Sequence, residues 1–187
     1  ESTTRRQPLT RDRIIDASLR IIEAEGLDAL SMRRLGKELQ VKDMALYYHF
    51  ERKDEILSGL VGRMFDAFDE VRPVGKSWRD YMSEVMHAFR RVGNTYPQTF
   101  LLYSRRPWQE ATRTGDSDTL IAAGFDPIHA QYVLRNLADY VTGFVVRHDV
   151  PRLSEEPGDD DFDADAAFEF GLEAMLDGSE RWLTSSR

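Results

Sequence analysis

The sequence predicts an all-α fold. Apolar residues recur at three- and four-residue intervals along most of the chain, and capping residues or Pro/Gly stops punctuate those stretches. No segment alternates apolar and polar residues as a half-buried strand does. The pattern divides into a flexible basic arm at 1–9, a small helical unit at 10–54 and a larger helical unit at 55–187.

The first helix is expected from Arg11 to Glu25, capped by Thr10, with Asp12 in its first turn. Ile14, Ala17 and Ile21 form one apolar stripe and Ile15, Leu19 and Ile22 another, and Gly26 stops the helix. A second helix over Met32–Leu39 takes Ser31 as its cap and turns Leu35 and Leu39 inward. After a tight turn at Gln40-Val41, a third helix of barely two turns, about Lys42 to Tyr48, is too short to be stable unless it packs on something. Phe50 is expected to turn into the core.

A fourth helix runs from Lys53 to about Glu70, where Pro73-Val74-Gly75 breaks it. Ile56, Leu60, Met64 and Phe68 line one side of it and Leu57, Val61 and Phe65 another, so it reads as a lever joining two cores. Ser77 caps the next helix, with Trp78, Met82, Val85, Met86 and Phe89 on one face as far as Thr95. Pro97 begins a short helix that ends before Arg105, and a polar loop follows with a short helix at Thr119–Ala123. Asp126-Pro127 is a strong start for a helix reaching His148. An acidic surface loop at 152–163 precedes a last helix over Ala164–Leu183.

Composition narrows the chemistry. The 187 residues, 41% hydrophobic and 31% charged, have the balance of a globular protein and not of a disordered tail. With no cysteine, disulfides, thiolate metal sites and cysteine nucleophiles are excluded. There is no apolar run of membrane-spanning length and no signal-peptide pattern at residues 1–9, so the cytoplasm is the expected compartment. His49, His87, His129 and His148 have no metal-binding spacing. A calcium loop starting at Asp159 would need Gly and Glu where Ala164 and Phe170 stand. No acid/base or nucleophile constellation points to an enzyme, and neither a metal nor a cofactor is expected.

The net charge of −8 conceals an asymmetry. Residues 1–54 carry 11 Lys/Arg against 10 Asp/Glu, while 55–187 carry 14 against 23. Arg5, Arg6, Arg11, Arg33, Arg34, Lys37, Lys42, Arg52 and Lys53 can gather on one surface, and it is the local patch that governs phosphate binding.

Two short helices joined by a tight turn describe a helix-turn-helix, whose second helix enters the major groove of DNA. Tyr47, Tyr48 and His49 can hydrogen-bond phosphate oxygens and Lys53 adds a point charge, which sets register on a duplex without reading its sequence.

Residues 14–53 resemble the N-terminal domain of the tetracycline-repressor (TetR) family of bacterial transcription regulators. The matching positions are Gly26, Leu35 and Leu39, Val41, the run Leu46-Tyr47-Tyr48-His49-Phe50, and Lys53. Two positions depart from the family pattern. Gly36 stands in place of alanine, which lowers helix propensity by roughly 1 kcal/mol but permits a close crossing. Gln40 replaces the turn glycine, so a left-handed backbone there is strained. The body resembles the family more loosely, at Ser77-Trp78, Arg106-Pro107, Gly124-Phe125 and Phe170-Gly171-Leu172-Glu173.

The resemblance implies a homodimeric, ligand-responsive repressor of a palindromic operator, with double-stranded DNA and a small molecule as partners. Arg33 matches a base-contacting position, where a guanidinium can bind guanine O6 and N7. Lys42, Asp43 and Met44 open the recognition helix and suit phosphate or guanine, cytosine N4 and a thymine methyl respectively. Dimerisation is implied through about 128–148 and 166–183.

Candidates for a ligand pocket are Met64, Phe65, Phe68, Met82, Met86, Phe89, Phe100, Tyr103, Tyr132, Asn136, Asp139, Tyr140 and Met175, because Met and aromatic side chains adapt to apolar ligands while a few polar groups orient them. The same residues at helical spacing also describe an ordinary core. Where the tetracycline repressors hold drug- and metal-binding side chains, this chain offers Asp69, Val85 and Leu102, so a hydrophobic or cationic effector other than tetracycline is expected. An activator, a ligand-independent architectural DNA binder, and a helical enzyme or carrier with a vestigial DNA domain remain as alternatives.

Overall fold

Residues 8–66, 71–105, 114–150 and 162–185 are described by a computed structural model of the chain. Every regular element among them is helical: α1 (Arg11–Glu25), α2 (Met32–Leu39), α3 (Asp43–Tyr47), α4 (Lys53–Asp66), α5 (Trp78–Thr95), α6 (Pro97–Ser104), α7 (Thr114–Ala123), α8 (Pro127–Phe144) and α9 (Ala164–Ser185). A 3-10 turn at Leu27–Ala29 links α1 to α2, and a π-turn at Val145–Asp149 extends α8. Most of the basic arm and of the acidic loop lies outside the described residues.

Local chemistry sets most helix starts. The hydroxyl of Thr10 accepts from the Arg13 N–H, that of Ser31 from Arg34 and that of Ser77 from Asp80, and the Asp126 carboxylate accepts from Ile128 and His129. Gly26 ends α1 at φ 84°, a region that a residue with a Cβ rarely adopts. Gln40 ends α2 in the left-handed region at φ 55° and ψ 41°, the one such residue other than glycine among those described. Val41 then donates its N–H to the Gly36 carbonyl at 2.9 Å.

Two cores result. The head core, from α1 to α3 and the start of α4, buries Ile14, Ile21, Ile22, Leu35, Leu46, Phe50, Ile56 and Leu60. The body core runs from Val61 and Met64 of α4 through α5 to α9. Helix α4 therefore gives Ile56 and Leu60 to one core and Val61 and Met64 to the other, within nine residues. It lies so close to α1 that a Cβ at Gly59 would come within 2.4 Å of the Ile15 Cδ1.

Two body elements differ from the sequence reading. The short helix expected at Thr119–Ala123 begins earlier, at Thr114. The helix expected to reach His148 loses α geometry after Phe144 and closes with a bond from the Val150 N–H to the Val145 carbonyl at 2.9 Å. The reason is tertiary. Arg90 of α5 holds the Asp149 carboxylate with two hydrogen bonds at 2.7 and 2.9 Å, and its guanidinium lies over the rings of Phe144 and Phe168 at 5.2 and 4.5 Å.

Candidate nucleic-acid interface and ligand-binding region

Helix α3 has five residues and no side-chain cap at Lys42, so what surrounds it holds it in place. Leu46 and Phe50 anchor its inner side, exposed by 0% and 2%. At its far end the Arg11 guanidinium donates to the His49 carbonyl, lies 4.0 Å from the centre of the Phe50 ring and pairs with Glu55 at 3.7 Å. At its near end α2 approaches closely: a Cβ at Gly36 would stand 3.0 Å from the Val41 carbonyl oxygen and 2.9 Å from the Asp43 carboxylate. The glycine thus accommodates the turn that Gln40 strains.

This packing leaves the outer side of α3 open. Met44 is 76% exposed and Tyr48 89%, unusual for large apolar side chains and informative for that reason. Tyr47 is 46% exposed, and Lys42 and Asp43 are exposed as well. His49 is half-buried and meets the Tyr48 ring edge to face at 5.7 Å. Arg33 stands in solvent on the side of α2 opposite buried Leu35, and Lys53 is exposed at the start of α4. Among the described residues Arg33, Lys42 and Lys53 pair with no carboxylate, which leaves three cations available to a polyanion.

The basic patch expected from the sequence is smaller than the count of cations. Arg34 does not join it, because Glu25 and Glu38 both hold its guanidinium, the latter at 2.9 Å. Those hydrogen bonds, Glu25 first, raise the arginine pKa above its ordinary value, and the bond to Arg34 in turn lowers that of Glu25. Arg11 is committed to the His49 carbonyl and Glu55, while Arg5 and Arg6 lie outside the described residues. Adjacent arginines thus part: Arg33 faces outward and Arg34 braces α2 against α1.

The thirteen ligand-pocket candidates separate into groups. Met64, Met82, Met86, Phe89, Phe100 and Tyr103 are buried in the body core, and half-buried Phe65 packs against them. Four of these rings interlock, with centroid separations of 5.0 Å for Phe89–Phe100, 5.3 Å for Phe65–Tyr103, 5.6 Å for Phe89–Tyr103 and 5.9 Å for Phe65–Phe89. Burial pushes the Tyr103 hydroxyl up to about 12, with the Asp139 charge adding to the effect and a hydrogen bond to Thr142 opposing it.

Tyr132, Asn136 and Met175 lie elsewhere, lining a groove of about 340 Å³ between α8 and α9 with Phe125, His129 and Trp182. Asp139 is exposed, and the half-buried Tyr140 donates to the Phe168 carbonyl at 3.0 Å, a bond that ties α8 to α9. Phe68 and Asp69 lie outside the described residues, while Val85 and Leu102 are buried at 3% and 6% exposure. No helix of the described residues is long and apolar enough to cross a membrane.

One residue that the sequence reading missed joins the two cores. Glu23, near the end of α1, accepts from the Gln98 and Thr99 N–H groups at 3.2 and 2.9 Å and from the Thr99 hydroxyl at 2.7 Å. Nothing local marks it, since its partners lie some 75 positions away.

Comparison with known proteins agrees with this architecture. Residues 14–60 match the model of the bacterial regulatory proteins of the tetR family. An HTH-type transcriptional regulator of Saccharopolyspora erythraea is 34% identical over 166 residues, covering 84% of this chain and 69% of that protein. The class G tetracycline repressor protein of Vibrio anguillarum is 28% identical over 198 residues, covering 92% of this chain and 94% of the repressor. The crystal structure of a TetR variant from Acinetobacter baumannii in complex with minocycline superposes with a TM-score of 0.78 at 30% identity, covering 94% of this chain and 98% of that one. The chain is a DNA-binding transcriptional regulator and not an enzyme, and it belongs to the TetR family.

Proposed function

We propose that the protein is a homodimeric repressor that binds a palindromic operator and releases it when a small molecule enters the body. The observation that carries this reading is the one-sided burial of α3, with Leu46 shut in while Met44 and Tyr48 stand in solvent. Such a helix is made to be covered by something else. Arg33, Lys42, Asp43 and Met44 read base edges, and Tyr47, Tyr48, His49 and Lys53 hold the phosphates.

Dimerisation through α8 and α9 is supported by the apolar side chains left open there, with Phe170 79%, Tyr132 54% and Ile128 47% exposed. The two recognition helices would then meet major-groove faces about one helical turn, ~34–36 Å, or a multiple of it apart. The structural relative binds minocycline, and the apolar, Met- and aromatic-rich body of this chain suits a small hydrophobic or cationic effector. Val85 and Leu102, both apolar, favour an effector other than a metal-chelated tetracycline. Effector entry near Phe65, Phe89, Phe100 and Tyr103 would shift α4, which belongs to both cores. A coupling of about 1–3 kcal/mol changes operator affinity about 5- to 150-fold.

The test is selection of duplexes from a random pool, followed by affinity measurements at several salt concentrations. Arg33→Ala should relax preference at one base pair by about 1–3 kcal/mol, and Lys53→Ala should weaken all sequences alike and reduce the salt slope by about 1. The same pattern of loss from both substitutions would overturn the assignment of roles.

A further inference from the structure

Helix α6 starts without a cap of its own. Its N-cap residue, Tyr96, makes no side-chain capping bond, and Pro97 occupies the first turn. The N–H groups that a capping side chain ordinarily satisfies are those of the second and third helical residues, here Gln98 and Thr99. Both donate to the carboxylate of Glu23, a residue of the head. Thr99 is fully buried, so its hydroxyl also depends on that carboxylate. An anion at a helix N-terminus interacts favourably with the helix dipole as well.

We infer that Glu23 is a positioning residue that fixes the head on the body and carries changes in α6 to the DNA-binding face. The inference rests on the dimeric operator-binding reading above. Leu27, just after α1, packs against both cores, but apolar contact of that kind tolerates sliding; the directional bonds of Glu23 fix the angle at which the head sits beside α4. The connection is continuous. Phe100 and Tyr103 of the aromatic cluster lie on α6, the N-terminus of α6 is held by Glu23, and the opposite end of α1 holds the His49 carbonyl through Arg11. Repacking of Phe100 and Tyr103 that moves α6 must either break the Glu23 bonds, leaving buried donors unpaired, or take α1 along. In a dimer, rotation of both heads alters the separation of the two recognition helices, so Glu23 controls the half-site spacing the protein accepts.

The experiment uses the full chain and the duplex it enriches from a random pool. Affinity is measured for that duplex, for versions with one or two base pairs added at the centre, and for a single half-site. The wild-type protein should discriminate against the lengthened duplexes, and Glu23→Ala should reduce that discrimination about 5-fold or more. Glu23→Gln and the nearly isosteric Thr99→Val should give smaller losses in the same direction, with half-site affinity unchanged for all three. Hydrogen exchange at the Gln98 and Thr99 amides should slow on DNA binding in the wild type and not in Glu23→Ala. A spacing profile unchanged in folded Glu23→Gln and Thr99→Val would overturn the inference, even if melting temperatures fall, because a merely structural bond lowers stability without altering spacing. A wild-type protein that enriches no duplex would overturn the operator-binding reading and this inference with it.

Discussion

The recognition face of the head and the ring cluster inside the body treat their aromatic residues in opposite ways. In the head, Tyr47 stands half in solvent at the end of a five-residue helix and Tyr48, its C-cap, almost wholly so, with Leu46, Phe50 and Arg11 holding the helix from behind. In the body, Phe65, Phe89, Phe100 and Tyr103 meet ring to ring, and Phe100 has no exposed surface at all. The recognition face exposes aromatic surface on a rigid support, whereas this cluster conceals it among side chains that can repack. The same residue type serves contact in one place and cohesion in the other, and substitutions should separate the two uses.

The largest difference is expected from truncating one ring in each region. Phe100→Ala should cost about 3–5 kcal/mol of stability in denaturant unfolding, through lost burial and the cavity left behind. Tyr48→Ala should change stability by less than about 0.5 kcal/mol and lower affinity for DNA instead. Comparable stability losses at both sites would break the distinction.

Next in size is a pH effect confined to the body. The Tyr103 hydroxyl is pushed up to about 12 in the folded protein, so between the ordinary tyrosine value and 12 the folded state binds the extra proton. The contribution is complete below the unfolded pKa and is lost as pH rises, which amounts to about 2–3 kcal/mol over that window. Tyr103→Phe should flatten the stability profile relative to wild type between about pH 10 and 12. An unchanged profile would show that burial does not hold this hydroxyl.

The smallest effect belongs to the head. Gln40 occupies the left-handed region, at a cost of roughly 1–2 kcal/mol for a residue with a Cβ. Gln40→Gly should therefore raise stability by about 1 kcal/mol, a gain of about 2–4 °C in Tm for a chain of this size. If the head unfolds separately, the gain should appear in its transition alone.

What could be read from the sequence was what depends on neighbours along the chain. The caps at Thr10, Ser31, Ser77 and Asp126 lie within three residues of the N–H groups they satisfy, and the strain at Gln40 follows from one missing glycine. Phe50, expected to turn into the core, is 2% exposed. Contacts made across the fold were not readable. Arg34 looks like an outward cation in the sequence although Glu38, four residues on, is a local partner; Glu25 completes the capture only after α1 and α2 pack. The π-turn depends on Arg90 meeting Asp149, and Glu23 finds Thr99 only once head and body are joined. Residue type alone, Met and aromatic, does not distinguish the enclosed ring cluster from the open groove at Tyr132 and Met175.

The dual allegiance of α4 bears on how such regulators can be recombined. A chimera that grafts this DNA-reading unit onto a foreign sensor and is spliced at residue 54 would leave Ile56 and Leu60 on the wrong side of the seam. Splicing after Met64 keeps the transplanted core whole but obliges the recipient to accommodate Val61, Met64 and a carboxylate at position 23. Modular exchange in this scaffold therefore requires matching two junctions, one along the connecting helix and one beside it.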